Sequence, residues 1–228
     1  MIKEMCGIVI SFIYFFLILL FPRLFPKVNE EYSRKFVHIM IGNWWLIALY
    51  FFTNVYTALV VPVAFCIISY YSIKKNSPNG LLSFFERREA NEKKSYGIIV
   101  YPISLAIMAI VSYACTNNHY LGGVGIVALS YGDGMAAVIG KLYPKGKYTI
   151  GYAHKTLAGS IAMLIMTFVM LIVYLVFIVG LHMNTIIYRV IITAIIATIV
   201  EAITPRGFDN LSVPISALVT YMLCISIL

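Results

Sequence analysis

The sequence has few charged residues, and most of those are basic. Lys, Arg, Asp and Glu make up 11% of the 228 residues, whereas 61% are hydrophobic and the net charge is +8. A soluble domain of this length carries about a quarter charged residues, so that class is excluded. The composition predicts an integral membrane protein that forms a single domain over residues 1–228.

Metal-binding cysteine motifs and the common nucleotide-binding loops are also missing. The four cysteines lie singly in apolar runs, which excludes a zinc site and a disulfide framework. There is no GxGxxG, HRD or DFG motif. The stretch GKLYPKGKY (140–148) has five residues between its glycines rather than four, with Tyr148 where a P-loop has Ser or Thr. Rossmann, protein-kinase and P-loop nucleotide sites are therefore excluded.

Long apolar runs fill most of the chain. A membrane-spanning helix needs about 20 predominantly apolar residues. The runs predict an all-α polytopic protein with about eight transmembrane helices, with seven as the alternative, and the fifth run is the least regular. The first run is too long for a signal peptide and lacks a cleavage site, so we expect a retained helix. The predicted spans are 5–22, 36–53, 55–73, 96–116, 120–140, 156–181, 184–203 and 211–228.

Basic residues fall in alternate connections between these spans. The connections at Asn54, 117–119 and 182–183 hold none. Because Lys and Arg accumulate in cytoplasmic loops, the pattern predicts that both termini lie outside and the basic loops inside. Fifteen of the 17 lysines and arginines lie in segments 23–35, 74–95, 141–155 and 204–210.

Membrane topology accounts for the positive charge, so no nucleic-acid partner is expected. The plasma membrane of a prokaryote is the expected location. The largest basic connection, 74–95, contains Leu81, Leu82, Phe84 and Phe85. It is either a short helix in the membrane interface or a solvated loop that only sets the topology.

One carboxylate lies within a predicted span. Asp133 stands between Gly132 and Gly134 in LSYGDGMAAVIGK (129–141). Counted from the outer end of its span, it lies roughly 20 Å into a hydrocarbon core of about 30 Å. A charge at such depth costs roughly 3 kcal/mol on insertion scales. Because glycines allow a broken helix and the close approach of another group, we predict a helix broken at the GDG stretch and a functional role for Asp133.

The other strongly polar residues converge on the same inner region. Taken singly, each has a plain structural explanation, such as an interfacial histidine, a flanking cation or a helix-end carboxylate. An ion path would scatter ionisable groups across the membrane, so a transporter or non-enzymatic component is the less favoured interpretation. The converging residues are Arg34, Lys35, His38, Lys155, Glu201, Asp209 and Asn210.

A phosphate site is predicted after Asp133. The stretch GKLYPKGKYTIGYAHKTLAGS (140–160) is basic and punctuated by glycines. Lys155 and Thr156 stand where the sixth span begins, and a helix N-terminus favours anions. A magnesium ion held by one or two carboxylates and substrate phosphates would need only Asp133 and a partner. The residues thus suggest a magnesium–nucleotide site at the inner face, with the second substrate in lipid.

Five motifs in order resemble the CTP-dependent lipid-alcohol kinases, the family of dolichol kinase, phytol or farnesol kinase and yeast-type diacylglycerol kinase. They are SRKFVH (33–38), EKKSYGIIVYP (92–102), GDGMAAVIGK (132–141), HKTLAGS (154–160) and EAITPRGFDNLSVP (201–214). The resemblance implies transfer of the CTP γ-phosphate to a membrane alcohol, with magnesium. Two motifs also resemble phosphatidate cytidylyltransferases, which make a CDP-lipid from CTP, but the last motif fits the kinases better.

The resemblance implies a set of site residues at the matching positions. The catalytic residues would be Asp133, His38, Asp209 and Glu201, with His38 and Asp209 as alternative bases. The nucleotide-binding residues would be Arg34, Lys35, Lys141, Lys155, Thr156, Gly159, Ser160 and Asn210. Magnesium would be held by Asp133 and Asp209. The acceptor stays open among phytol, farnesol, a polyprenol and diacylglycerol, as does the oligomeric state.

Overall fold

The computed structural model describes residues 1–75, 97–205 and 207–227 as eight helical rods and one β-hairpin. The all-α class and the polytopic membrane architecture are confirmed. The helices are α1 (Ile2–Leu24), α2 (Glu30–Phe51), α3 (Val55–Lys75), α4 (Gly97–Ile110), α5 (Leu121–Val127), α6 (Gly134–Leu142), α7 (Leu157–Ile172), α8 (Met183–Ile203) and α9 (Asp209–Ile227). The hairpin pairs β1 (Lys147–Ile150) antiparallel with β2 (Ala153–Thr156) between α6 and α7.

Three of the rods contain π-helical stretches. Val111–Cys115 extends α4 and Val173–Ile178 extends α7. Ala128–Asp133 joins α5 to α6, so Leu121–Leu142 forms one continuous rod. Each of the eight predicted spans therefore corresponds to one rod.

Among the described residues, five rods are long and apolar enough to cross a membrane. Two further apolar helices, Val55–Tyr71 and Ile99–Cys115, are shorter. The five are Ile2–Leu24, Leu121–Leu142, Leu157–Ile178, Met183–Ile203 and Asp209–Ser226.

The start of α2 differs most from its predicted span, because the helix begins six residues earlier, at Glu30. Asn29 caps it, since its side chain accepts a hydrogen bond from the Glu31 amide at 3.0 Å. Glu30 and Glu31 in the first turn favour the helix dipole. Hydropathy misses such polar first turns, and here they bring Lys35 into the helix.

The rod Leu121–Leu142 is the centre of the bundle. Its apolar window is 72% buried, compared with 28–39% for the other four long rods. Its irregular hydropathy has a simple cause, because this helix contacts protein on most sides rather than lipid. Glycines allow that packing: a Cβ on Gly125 would lie 2.6 Å from the Pro214 carbonyl oxygen of α9, and one on Gly122 would lie 2.5 Å from the Trp45 ring of α2.

The prediction of a helix broken at the GDG stretch is wrong. Asp133 and Gly134 both have right-handed helical dihedrals, and the chain continues from the π-helical stretch directly into α6. The flanking glycines instead allow close packing on two sides. A Cβ on Gly132 would lie 2.7 Å from Met163 Sδ of α7, and one on Gly134 would lie 2.6 Å from Ile39 Cγ1 of α2.

A large hydrophobic core joins the helices, with Phe15, Trp44, Leu105, Leu171 and Tyr221 among its fully buried members, and a smaller cluster of buried residues surrounds Met163. That the chain is a single domain remains a prediction. The two alternatives for segment 81–85 lie outside the described residues.

Candidate functional site

Five charged side chains form a cluster at one end of the bundle, which we call the carboxylate–lysine cluster. Two of the side chains lie near the starts of helices and one lies near the end of a helix. Lys155 is on β2, two residues before α7, and Asp133 lies nine residues before the end of α6. Each side chain is 10% exposed or less. This is the end of the bundle at which the basic connections leave the helices. The members are Lys35, Asp133, Lys155, Glu201 and Asp209.

A tight turn between α8 and α9 brings Glu201 and Asp209 together. Glu201 lies in the last turn of α8, and Asp209 is the first residue of α9. Gly207 has a φ of +94°, which favours glycine. The Asp209 Oδ1 atom accepts hydrogen bonds from the amides of Gly207 at 2.9 Å and Asn210 at 3.1 Å. The turn therefore fixes the Asp209 carboxylate and directs its Oδ2 toward Lys155.

Lys155 connects the hairpin to this turn. It lies on β2 opposite Tyr148, and its Nζ donates to Glu201 Oε1 and, at 3.3 Å, to Asp209 Oδ2. Burial alone would lower the pKa of Lys155, but the carboxylates of Asp209 and Glu201 outweigh it and raise that pKa. Lys155 is therefore charged at neutral pH.

Two side chains of α2 contact the Asp133 carboxylate. Lys35 Nζ donates to its Oδ2 at 2.8 Å, and His38 Nε2 lies 3.3 Å from the same oxygen and 3.2 Å from the Leu129 carbonyl oxygen. Both neighbours of His38 Nε2 are acceptors, so that nitrogen carries a hydrogen. His38 thus positions Asp133, and it can accept a proton only at Nδ1. The Leu129 carbonyl belongs to the π-helical stretch, a distortion that recurs at functional sites.

The three carboxylates fit a divalent metal ion. Asp133, Glu201 and Asp209 each offer an oxygen within 4.8 Å of the others. In an octahedral Mg²⁺ site, neighbouring ligand oxygens lie about 3.0 Å apart and opposite ones about 4.2 Å apart, so the three carboxylates would draw closer together on binding one ion. Glu201 Oε2 is buried and has no hydrogen-bond partner among the described residues. Three carboxylates and two ammonium groups also leave one net negative charge, which a cation would balance.

Asn210 and two residues that the sequence interpretation missed support the cluster. The Asn210 side chain donates to the Gly97 carbonyl at 3.2 Å, and its own carbonyl accepts from Ser104 at 2.5 Å, which ties α9 to α4. The Tyr101 hydroxyl donates to the His38 carbonyl at 3.1 Å, and the two rings meet edge to face. A polar residue within the 92–102 motif was the available signal for Tyr101, whereas Ser104 gave none.

Two of the predicted cationic site residues have partners outside the cluster. Arg34 pairs with Glu31 at 2.5 Å on the same helix. Lys141 is exposed, lies 3.4 Å from Asn29 Oδ1 and stands over the Tyr32 ring. The structure therefore does not bring Arg34 and Lys141 to the carboxylates, and their phosphate-binding roles remain predictions.

The start of α7 is less open to an anion than the sequence suggested. The Thr156 hydroxyl caps the helix by accepting from the Gly159 amide at 3.1 Å, and the Leu157 amide donates to the Gly146 carbonyl. Two of the four amides that a helix start leaves free are thus engaged. A Cβ on Gly159 would lie 2.9 Å from the Ala136 carbonyl, and Ser160 bonds the Tyr148 hydroxyl. These contacts give Thr156, Gly159 and Ser160 structural roles beside the predicted phosphate-binding ones.

The fold and cluster define a class: a polytopic membrane protein with a buried, metal-compatible carboxylate–lysine site at one end of its helices.

Similarity to curated proteins narrows this class to a family. A probable phytol kinase 1 of soybean (Glycine max) is 31% identical over 204 residues, which cover 84% of this chain and 66% of that protein. The phytol kinase of Synechocystis is 26% identical over 198 residues, 84% of this chain and 78% of that protein. A probable phytol kinase 1 of rice (Oryza sativa) is 27% identical over 209 residues, which cover 86% of this chain and 65% of that protein.

The chain therefore belongs to the family of lipid-alcohol kinases that includes these phytol kinases. It spans about two thirds of the length of the plant relatives. No family model matches the chain, and no solved structure matches it significantly.

Removing the shared lysine tests how the site is held together. Lys155→Met leaves Glu201 and Asp209 as adjacent buried carboxylates without their common cation, which costs roughly 3–5 kcal/mol. We expect the apparent Tm in detergent to fall by about 6–20 °C at neutral pH. Lys147→Met, an exposed position at the start of the same hairpin, is the matched control and should change it little. Equal Tm values for the two variants would contradict the bridging role of Lys155.

Proposed function

We propose that the chain is a lipid-alcohol kinase that transfers the γ-phosphate of CTP to an isoprenoid alcohol such as phytol, with magnesium, at the cytoplasmic face. The observation that carries the proposal is the buried carboxylate–lysine cluster in a chain of this family. The names of the relatives favour phytol among the open acceptors and favour kinase chemistry over cytidylyl transfer. CTP as the donor rests on the five motifs.

Asp133, Glu201 and Asp209 would hold the magnesium ion. When bound, the ion would neutralise part of the negative charge of the phosphates. Lys155 and Lys35 are placed to bind phosphate oxygens, because their ammonium groups lie directly beside the metal-compatible carboxylates. Since phosphoryl transfer depends mainly on positioning and charge stabilisation, such a set of groups suffices for the reaction.

The proposed transfer is a single displacement at the γ-phosphorus, in which one bond forms and one bond breaks. The acceptor hydroxyl oxygen forms a bond to the γ-phosphorus, and the bond from the γ-phosphorus to the β–γ bridging oxygen breaks. CDP leaves, and the hydroxyl proton passes to a basic group of the site. Both oxygens of Asp209 already accept hydrogen bonds, Oδ1 from two amides and Oδ2 from Lys155, so neither is free to take this proton. Glu201 Oε2 has no hydrogen-bond partner among the described residues, so it is available to take the proton or to bind the ion.

The position of the cluster suits a lipid acceptor. Asp133 lies inside a helix that is apolar enough to span a membrane, while Lys155 lies on the hairpin just outside the next one. A hydroxyl at the head of a membrane-embedded chain and a water-soluble nucleotide would therefore meet at this level. The basic connections leave the bundle at the same end, which supports a cytoplasmic site with both termini outside.

The direct test supplies the purified protein with phytol, magnesium and CTP labelled at either the γ- or the α-phosphate. We expect label to enter the lipid from γ-labelled CTP alone, because the β–γ linkage breaks. A panel with farnesol, a polyprenol and diacylglycerol then identifies the acceptor class. Label that enters only from the α position would instead assign cytidylyl transfer, and no transfer from either would contradict the proposed activity.

Neutralising the central carboxylate tests the site itself. Asp133→Asn removes a metal ligand but keeps an oxygen that can accept from Lys35, so the protein should stay folded. We expect turnover to fall by at least about a hundredfold in a protein that still unfolds cooperatively, at a somewhat lower Tm because Lys35 loses its buried counter-charge. Glu30→Gln, at an exposed acid in the first turn of α2, is the control and should retain activity. Near-normal turnover in Asp133→Asn would refute the metal-binding role of Asp133.

A further inference from the structure

The Lys35 ammonium already contacts the Asp133 carboxylate to which a divalent ion would bind. Its Nζ lies 2.8 Å from Asp133 Oδ2, and the two side chains are 7% and 6% exposed. An ammonium at this distance already neutralises Asp133 in a poorly hydrated environment. An ion that bound Asp133 would therefore have to displace Lys35 or lie next to it.

The net charge of the cluster determines whether an ion can bind next to Lys35 or has to displace it. The cluster carries one net negative charge without an ion, because it has three carboxylates and two ammonium groups. A divalent ion alone would change this to one net positive charge, with three cations sharing three carboxylates. Repulsion between like charges is strong where water is scarce. The phosphates of a nucleoside triphosphate would reverse the excess and give both lysines new partners.

The two lysines differ in how readily they can change partners. Lys155 donates to two carboxylates at once, from a strand held by the hairpin register. Lys35 donates to Asp133 through a flexible four-carbon stem on α2. Lys35 gives up one carboxylate hydrogen bond when its head moves, whereas Lys155 would give up two, so Lys35 is better suited to exchange a carboxylate for a phosphate.

We infer that Lys35 is a resident counter-ion that keeps the divalent metal off Asp133 until the nucleotide phosphates arrive, and then transfers its hydrogen bond to them. Metal and nucleotide consequently bind with positive cooperativity. The inference rests on the proposed magnesium–nucleotide site. It goes further by making Lys35 the residue that couples the two ligands.

The test measures Mn²⁺ binding, as loss of the free-ion electron paramagnetic resonance signal, with and without a non-hydrolysable CTP analogue. In the parent protein, the analogue should tighten Mn²⁺ binding by at least about tenfold, within the usual range of such couplings. In Lys35→Met, Mn²⁺ alone should bind about tenfold tighter than in the parent, and the gain from the analogue should shrink. A merely structural lysine would not strengthen metal binding when it is removed.

Two further variants make the result specific. Lys27→Met removes the same charge from an exposed position just before α2 and should behave as the parent does. Lys35→Gln keeps a donor for Asp133 without the positive charge, and it replaces Lys35→Met in the same titration if the methionine variant does not fold. It should show the same gain in affinity for Mn²⁺ alone.

The outcomes separate this inference from the proposed function. If the parent binds Mn²⁺ more tightly with the analogue but the Lys35 variants show unchanged or weaker binding of Mn²⁺ alone, the counter-ion role is wrong and the site stands. If neither the parent nor any variant binds Mn²⁺ under either condition, the metal–nucleotide site and the counter-ion role are both wrong.

Discussion

The balance of buried charge is the constraint on which the site depends. Three carboxylates and two lysines lie among apolar helices, where an unpaired charge is costly. Lys155 joins the hairpin to the ends of α8 and α9, and Lys35 joins α2 to the central rod. The ion pairs that make the charges tolerable thus also bring five separate segments to one point.

Close helix packing places the central carboxylate within reach of its partners. Gly132 and Gly134 let α7 and α2 approach the rod on either side of Asp133. The π-helical stretch before Asp133 contains the Leu129 carbonyl that fixes His38. Because the helix continues through the GDG stretch, Asp133 is presented from a rigid element, which suits a metal ligand that must keep its geometry.

Hydropathy and the spacing of basic residues were enough to predict the helical rods and the convergence of Asp133, Lys155, Glu201 and Asp209 at one end of the bundle. Both signals follow directly from the membrane as a solvent. The sequence did not reveal the π-helical continuity, because glycines beside a carboxylate are compatible with either a break or close packing. Nor did it show that Arg34 and Lys141 have other partners, since pairing with Glu31 and Asn29 depends on side-chain geometry.

The relatives and the cluster support different parts of the account. Similarity to phytol kinases assigns the family, whereas the cluster is the basis of the proposal that a membrane protein without a P-loop or a Rossmann motif binds a nucleotide phosphate. In the proposed mechanism, a metal held by the carboxylates, with lysines beside it, would take the place of the glycine-rich loop of soluble nucleotide-binding proteins. A hydrophobic bundle can therefore place a charged reaction centre at the level where lipid and nucleotide meet.

The most direct measurement is an experimental structure of the protein with Mn²⁺ and a non-hydrolysable CTP analogue. The account predicts one ion about 2.2 Å from oxygens of Asp133, Glu201 and Asp209, with the phosphates contacting that ion and the ammonium groups of Lys35 and Lys155. A nucleotide bound elsewhere, with the Lys35–Asp133 and Lys155–Glu201 pairs intact and no ion between the carboxylates, would contradict it.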